Sequence, residues 1–263
     1  MKKHSIFKIL SITLLLLGTF TTIQAQKQQR EFYQLKTYTL ENESQENLLD
    51  TYLRDAYLPA LKRMGIQNVG VFKIHPHPYT LSDKIYVLIP FSSFDILQSV
   101  ESRLADDKIY KQAGKDYIQA SYDHPPYKRV NTVLMTAFED MPNMRPTKVQ
   151  GPREKRIYEL RSYESPTEAI FKNKVDMFNA GGEVALFDDL GFNAVFYGEV
   201  ISGDKMPNLM YMTTFTDQES RDAHWKKFGD APKWKELSTM PKYQNNVSHI
   251  DKIFLYPTDY SDY

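Results

Sequence analysis

The chain has 263 residues, with 33 Lys and Arg against 33 Asp and Glu, six His and no Cys. The lack of Cys excludes disulfides, thiolate metal centres and a lipid-modified lipoprotein. The balanced charge leaves no electrostatic footprint for nucleic acid. Met1-Lys2-Lys3 and Lys8 precede an apolar run from Ile9 to Ile23 that exits through Ala25. A basic start, an apolar core of that length and a small-residue exit predict a signal peptide over 1–25. The run is short of the ~20 residues that span a bilayer, so no stable membrane anchor is expected after cleavage. The mature chain is expected to be periplasmic or secreted. Removing Lys2, Lys3 and Lys8 from the 33 basic residues leaves 30 against 33 acids, a net charge of −3.

The first strand is expected over Tyr33 to Leu40, with Ser44 as the N-cap of a helix from Asn47 to Met64. Leu48, Tyr52, Leu53, Ala56, Ala60 and Leu61 recur there at helical spacing. Pro59 is expected to kink this helix, and Gly65 to end it with a positive φ. Val69 to Ile74 and Lys84 to Ile89 read as strands. A helix capped by Ser92 or Ser93 follows, with a second piece over Tyr110 to Ala120 and a strand over Val130 to Phe138. This is the strand-helix-strand-strand-helix-strand order of a ferredoxin-like unit. Pro142, Pro146, Gly151 and Pro152 mark a linker.

The order then repeats. Phe32-Tyr33-Gln34-Leu35-Lys36-Thr37-Tyr38 is echoed by Ile157-Tyr158-Glu159-Leu160-Arg161-Ser162-Tyr163, 125 residues later. A helical region over Pro166 to Leu190 is broken at Gly181-Gly182, and strands follow over Asn193 to Ile201 and Leu209 to Phe215. Helices start at Asp217 and Pro232, and Val247 to Tyr256 closes the half. The tail beyond Pro257 is polar and expected to fray. The expected fold class is α+β: tandem ferredoxin-like repeats forming an intrachain dimeric α/β barrel. The domains are 1–25 signal peptide, 26–139 first, degenerate ferredoxin-like domain, 140–155 linker and 156–263 second domain.

Tyr158-Glu159-Leu160-Arg161-Ser162-Tyr163, Asn179-Ala180-Gly181-Gly182-Glu183-Val184-Ala185-Leu186-Phe187 and Val195-Phe196-Tyr197-Gly198-Glu199 carry a family resemblance. Met206-Pro207-Asn208-Leu209-Met210-Tyr211-Met212, His224-Trp225-Lys226-Lys227-Phe228 and Pro232-Lys233-Trp234 extend it. Together these stretches resemble the NIPSNAP family. The resemblance is dense over about 156–240 and thin over 31–139. It implies a dimeric α/β barrel closed by two halves of one chain. The superfamily implies cofactor-free oxygenase, isomerase or haem-binding variants.

Alternation places Glu159, Arg161 and Tyr163 on one strand face and Tyr158, Leu160 and Ser162 on the other. Two readings of the charges stay open: they pair as barrel glue, or they anchor a polar ligand. Gln34 and Lys36 stand in their place in the first half, so any site is expected in the second. Glu183, after the glycine break, and Glu199, in an apolar strand, are the candidate catalytic carboxylates. Glu159, Arg161, Tyr163, Tyr197, Asn208, Tyr211 and Trp225 are the candidate ligand contacts. His224 stands alone, and His75-Pro76-His77 lacks a third ligand at useful spacing, so neither metal nor cofactor is expected. Two functions follow: a small-molecule site with cofactor-independent oxygenase or isomerase chemistry, or a non-enzymatic binding or scaffold protein. A small-molecule ligand and a homo-oligomeric partner remain open.

Overall fold

The computed structural model describes residues 29–75 and 83–263; the leader expected over 1–25 and His77 lie outside them. The first half runs β1 (Phe32–Thr39), α1 (Glu43–Tyr52), a π-helical turn (Leu53–Tyr57), α2 (Leu58–Arg63), β2 (Gly70–Ile74) and β3 (Lys84–Phe91). It continues with α3 (Phe94–Asp106), α4 (Lys108–Ala113), α5 (Lys115–Ile118) and β4 (Arg129–Ala137). The second half runs β5 (Ile157–Glu164), α6 (Glu168–Phe178), α7 (Glu183–Asp189), β6 (Ala194–Ser202), β7 (Asn208–Phe215), α8 (Gln218–Asp230), α9 (Pro232–Thr239) and β8 (His249–Pro257).

The strands close into one antiparallel barrel in the order β1-β3-β2-β8-β5-β7-β6-β4. Each half contributes a contiguous run of strands, and β2 with β8 and β4 with β6 make the seams. Closure leaves no edge strand unpaired among the described residues.

The alternation of each strand separates two environments. Tyr33, Leu35, Leu88, Tyr158, Leu160, Met210 and Met212 point inward and form a core shared by both halves. The opposite faces carry the helices. Val87 and Ile89 pack under α1 to α3, while Tyr163, Tyr197 and Tyr211 pack under α6 to α8. Glu159, Arg161 and Tyr163 are therefore on the helix-covered outer face, and Ser162 and Asn208 face the barrel interior.

Several local expectations are corrected. Asn42, not Ser44, caps α1, its side chain accepting from Gln45 N–H. Pro59 leaves the helical run continuous into α2, with a π-helical turn where a kink is expected. Without an N–H it cannot bond the carbonyl four residues back, and the backbone widens into the π-helical turn just before α2. The segment 140–155 is packed: Met141, Met144 and Val149 are buried, and the Arg145 N–H donates to the Val195 carbonyl at 3.0 Å.

The tail does not fray. Ser261 Oγ accepts from Val71 N–H at 3.0 Å, and Asp262 accepts from Val69 N–H at 2.9 Å. Tyr263 is 4% exposed and packs inside the barrel end against Phe72 and Tyr158. Its docking covers apolar surface that polarity along the chain does not register. Tyr263→Ala should destabilise the protein by about 3 kcal/mol, as a large-to-small core change does. Tyr263→Phe should be neutral, because the buried hydroxyl has no described partner. Urea unfolding of the two variants distinguishes a docked tail from a frayed one, for which both would match the parent.

Candidate functional site

The site grows from β5 and the helices above it. Glu159 is wholly buried, and a buried carboxylate is tolerated only when paired and hydrogen-bonded. Arg161 Nε donates to it at 2.8 Å. Arg221 reaches down from α8 through Nε at 2.9 Å and a terminal nitrogen at 2.8 Å. Trp225 Nε1 donates at 2.7 Å. Burial alone would raise the Glu159 pKa; hydrogen bonding from Arg221 and the charges of Arg161 and Arg221 outweigh it and hold the carboxyl below its ordinary range. Arg221 and Trp225 are one helical turn apart, so one face of α8 delivers both donors.

Arg161 is sandwiched in turn. Its guanidinium lies 3.5 Å from the centroid of the Trp225 ring and donates to Tyr163 Oη at 2.9 Å. The Tyr163 and Tyr211 hydroxyls are 2.8 Å apart. Arg161 retains guanidinium N–H groups that no described residue accepts, and it lines the neighbouring cleft.

The second charged pair comes from the broken helix. A Cβ on Gly181 would clash with the Met177 carbonyl oxygen, and Gly182 has φ +87°. Both positions need glycine. The turn reverses the chain so that Glu183, the first residue of α7, meets Lys174 of α6. Lys174 Nζ donates to Glu183 Oε2 at 2.9 Å, and both side chains are almost fully buried. Burial raises the Glu183 pKa against the opposing charge and hydrogen bond of Lys174. Glu183 is thus a buried ion-pair partner.

Between these pairs lies a cleft of about 310 Å³. Arg161, Tyr163, Lys174, Glu183, Trp225 and Trp234 give it charge and aromatic walls. The loop before β8 adds Asn246, held by its amide to Asn173 at 3.2 Å. Anionic or carbonyl oxygen suits the cations, and planar carbon suits the rings.

The expected residues divide across the fold. Arg161, Tyr163, Glu183 and Trp225 meet at the cleft, with Glu159 behind Arg161. Tyr197 and Tyr211 are buried beneath it and do not line it. Asn208 is on the other side of the sheet, donating to Ser162 Oγ at 2.8 Å inside the barrel mouth. Glu199 is separate from both cavities: it pairs with Arg30 at 3.0 Å near the β4–β6 seam and is 27% exposed. His224 is bonded to the Ser220 carbonyl and packs on Phe192 and Phe215. His75 packs on Tyr256. Glu164, His249 and Asp251 converge within 4.8 Å, as metal ligands would, but Lys205 already bonds Asp251 there. Sequence reasoning missed Lys174, Arg221 and Asn246. Lys174 had a legible signal, a cation set among Phe171, Val175 and Phe178 on an apolar stripe.

Residues 158–262 match the family model described as NIPSNAP. No curated protein sequence matches the chain. A Fusobacterium nucleatum protein provisionally named a monooxygenase superposes with a TM-score of 0.55 at 10% identity, covering 87% of this chain and 92% of its own. One from Lactobacillus acidophilus, named in the same provisional way, gives 0.54 at 12% identity, covering 87% and 94%. An anthrone oxidase-like protein gives 0.50 at 12% identity, covering 88% and 93%. At such identities these likenesses establish the fold alone.

Proposed function

We propose, on the premise that residues 158–262 form a NIPSNAP-type unit in an exported pair of tandem ferredoxin-like repeats, that the second-half cleft binds a small aromatic carbonyl compound and moves a proton on it. The observation that carries this reading is the Lys174–Glu183 pair, buried at the wall of an aromatic cleft that Arg161 also enters. The Glu183 carboxylate takes a proton from carbon next to the carbonyl. The electron pair moves onto the carbonyl oxygen, where N–H groups of Lys174 and Arg161 stabilise the enolate. Return of the proton elsewhere is isomerisation. Attack of the enolate carbon on dioxygen would begin a cofactor-independent oxygenation, and the names of the structural neighbours support that second course.

The test is solvent-deuterium incorporation into the methyl group of 4-hydroxyacetophenone, followed by NMR. The protein should accelerate exchange above buffer, and Lys174→Met/Glu183→Leu should abolish the acceleration. Removing both charges of a buried pair is near neutral for folding, so the melting midpoint should hold. Equal exchange by parent and double variant would overturn the reading.

A non-enzymatic scaffold is favoured by one specific observation: Glu159, the most buried charge, is already occupied by Arg161, Arg221 and Trp225. That reading expects no acceleration by either protein.

A further inference from the structure

The outer sheet face that carries the second-half cleft has a counterpart 125 residues earlier. There β1 presents Gln34, Lys36 and Tyr38 where β5 presents Glu159, Arg161 and Tyr163. In β5 the cation is neutralised by the acid two residues before it. In β1 that position is Gln34, which carries no charge, so the duplicated framework keeps the cation and loses its counter-ion.

The consequence is visible around Lys36. Its ammonium group stands 5.2 Å from the centroid of the Tyr57 ring, and no described acid forms an ion pair with it. Glu101, exposed on α3, acts on it only from beyond pairing distance. Burial lowers the Lys36 pKa, as expected for a cation without a fixed partner.

Lys36 borders a cavity of about 250 Å³ between β1, β4 and the first-half helices. Tyr38, Tyr57, Tyr110, Tyr127 and Thr132 share its lining. Part of this wall is already organised: Tyr110 Oη is 2.9 Å from Tyr52 Oη, and Tyr38 and Tyr127 meet edge to face at 5.4 Å.

We propose that this first-half cavity is a second binding site, for a small aromatic monocarboxylate whose carboxylate pairs with Lys36 and whose ring lies among the tyrosines. A half-buried cation without a partner selects an anion. Tyrosine faces and edges select a ring. The volume is below the roughly 300–1,000 Å³ of pockets for drug-sized ligands, which sets the size at a one- or two-ring acid. Glu101 at the same cavity disfavours a dianion such as phosphate. The sequence-based expectation that any site belongs to the second half rested on the missing acid; here that absence is what leaves the cation available.

Calorimetric titration of 4-hydroxybenzoate into the whole protein tests the assignment. Saturable binding is expected, weakened at least tenfold by Lys36→Met, retained by Lys36→Arg and unmoved by Lys174→Met/Glu183→Leu. Lys36→Met should melt no lower than the parent, since it removes an uncompensated cation. Titration with inorganic phosphate should show no comparable binding. Three results would each overturn the proposal: no saturation, equal affinity in Lys36→Met, or a lowered melting midpoint in that variant. Loss of binding in the double variant alone would assign the acid to the second-half cleft, overturning this proposal and leaving that cleft's function intact.

Discussion

Glu159→Gln should cost about 3–5 kcal/mol of folding stability, the range for breaking a buried ion pair by removing one partner. The reason is the number of groups that Glu159 serves. Arg161, Arg221 and Trp225 all donate to it, and the amide can neither balance two guanidinium charges nor accept at both ends. Arg161→Met should be milder, about 1–3 kcal/mol, because Arg221 and Trp225 remain on the carboxylate.

The effect also has a pH signature. The Glu159 pKa is lower in the folded protein than its ordinary value of 4.5. Its contribution is therefore fully present above the unfolded value and is lost as pH falls through the lower folded one. Urea unfolding of parent and variant should show the full difference at pH 7 and a shrinking one below about pH 4. A difference under about 1 kcal/mol at pH 7 would place the pair among ordinary surface salt bridges.

The fold was legible because the strand pattern recurs along the sequence. The echo between Tyr33 and Tyr158, and the strand-helix-strand-strand-helix-strand order, correspond to two runs of strands that close on each other. The glycine break was legible too, since Gly181 and Gly182 interrupt a strong helical period and each meets a backbone demand that a side chain would violate. Alternation correctly grouped Glu159, Arg161 and Tyr163. It could not tell the barrel interior from the helix-covered face, because both are apolar and buried.

That ambiguity is why Asn208 and Glu199 were grouped with residues that the sheet or the seam separates from them. Arg30, the partner of Glu199, is 169 positions away, and no local pattern reports such a contact. Arg221 was hidden for a different reason. On α8 it is one of many charged residues, and only the path of the helix over β5 distinguishes it from the solvated ones. The tail was misread because Thr258, Ser261, Asp262 and Tyr263 are held by partners far away in sequence, among them Val69, Val71, Phe72 and Arg153.

Under the proposed function, a ligand reacts in the space between Arg161, the Lys174–Glu183 pair and Trp234. Filling that space is a more direct challenge than changing its charges. Ser238 on α9 lines the cleft and is outside both ion-pair clusters, its Oγ donating only to the Lys235 carbonyl. Ser238→Trp places an indole at the cleft wall without removing any charged group. The decisive measurement is deuterium incorporation into 4-hydroxyacetophenone by parent and Ser238→Trp at matched folded concentration, with melting midpoints recorded for both. The predicted result is acceleration by the parent, lost at least tenfold in the variant, with both midpoints alike. Equal rates in the two proteins, or a parent no faster than buffer, would contradict it.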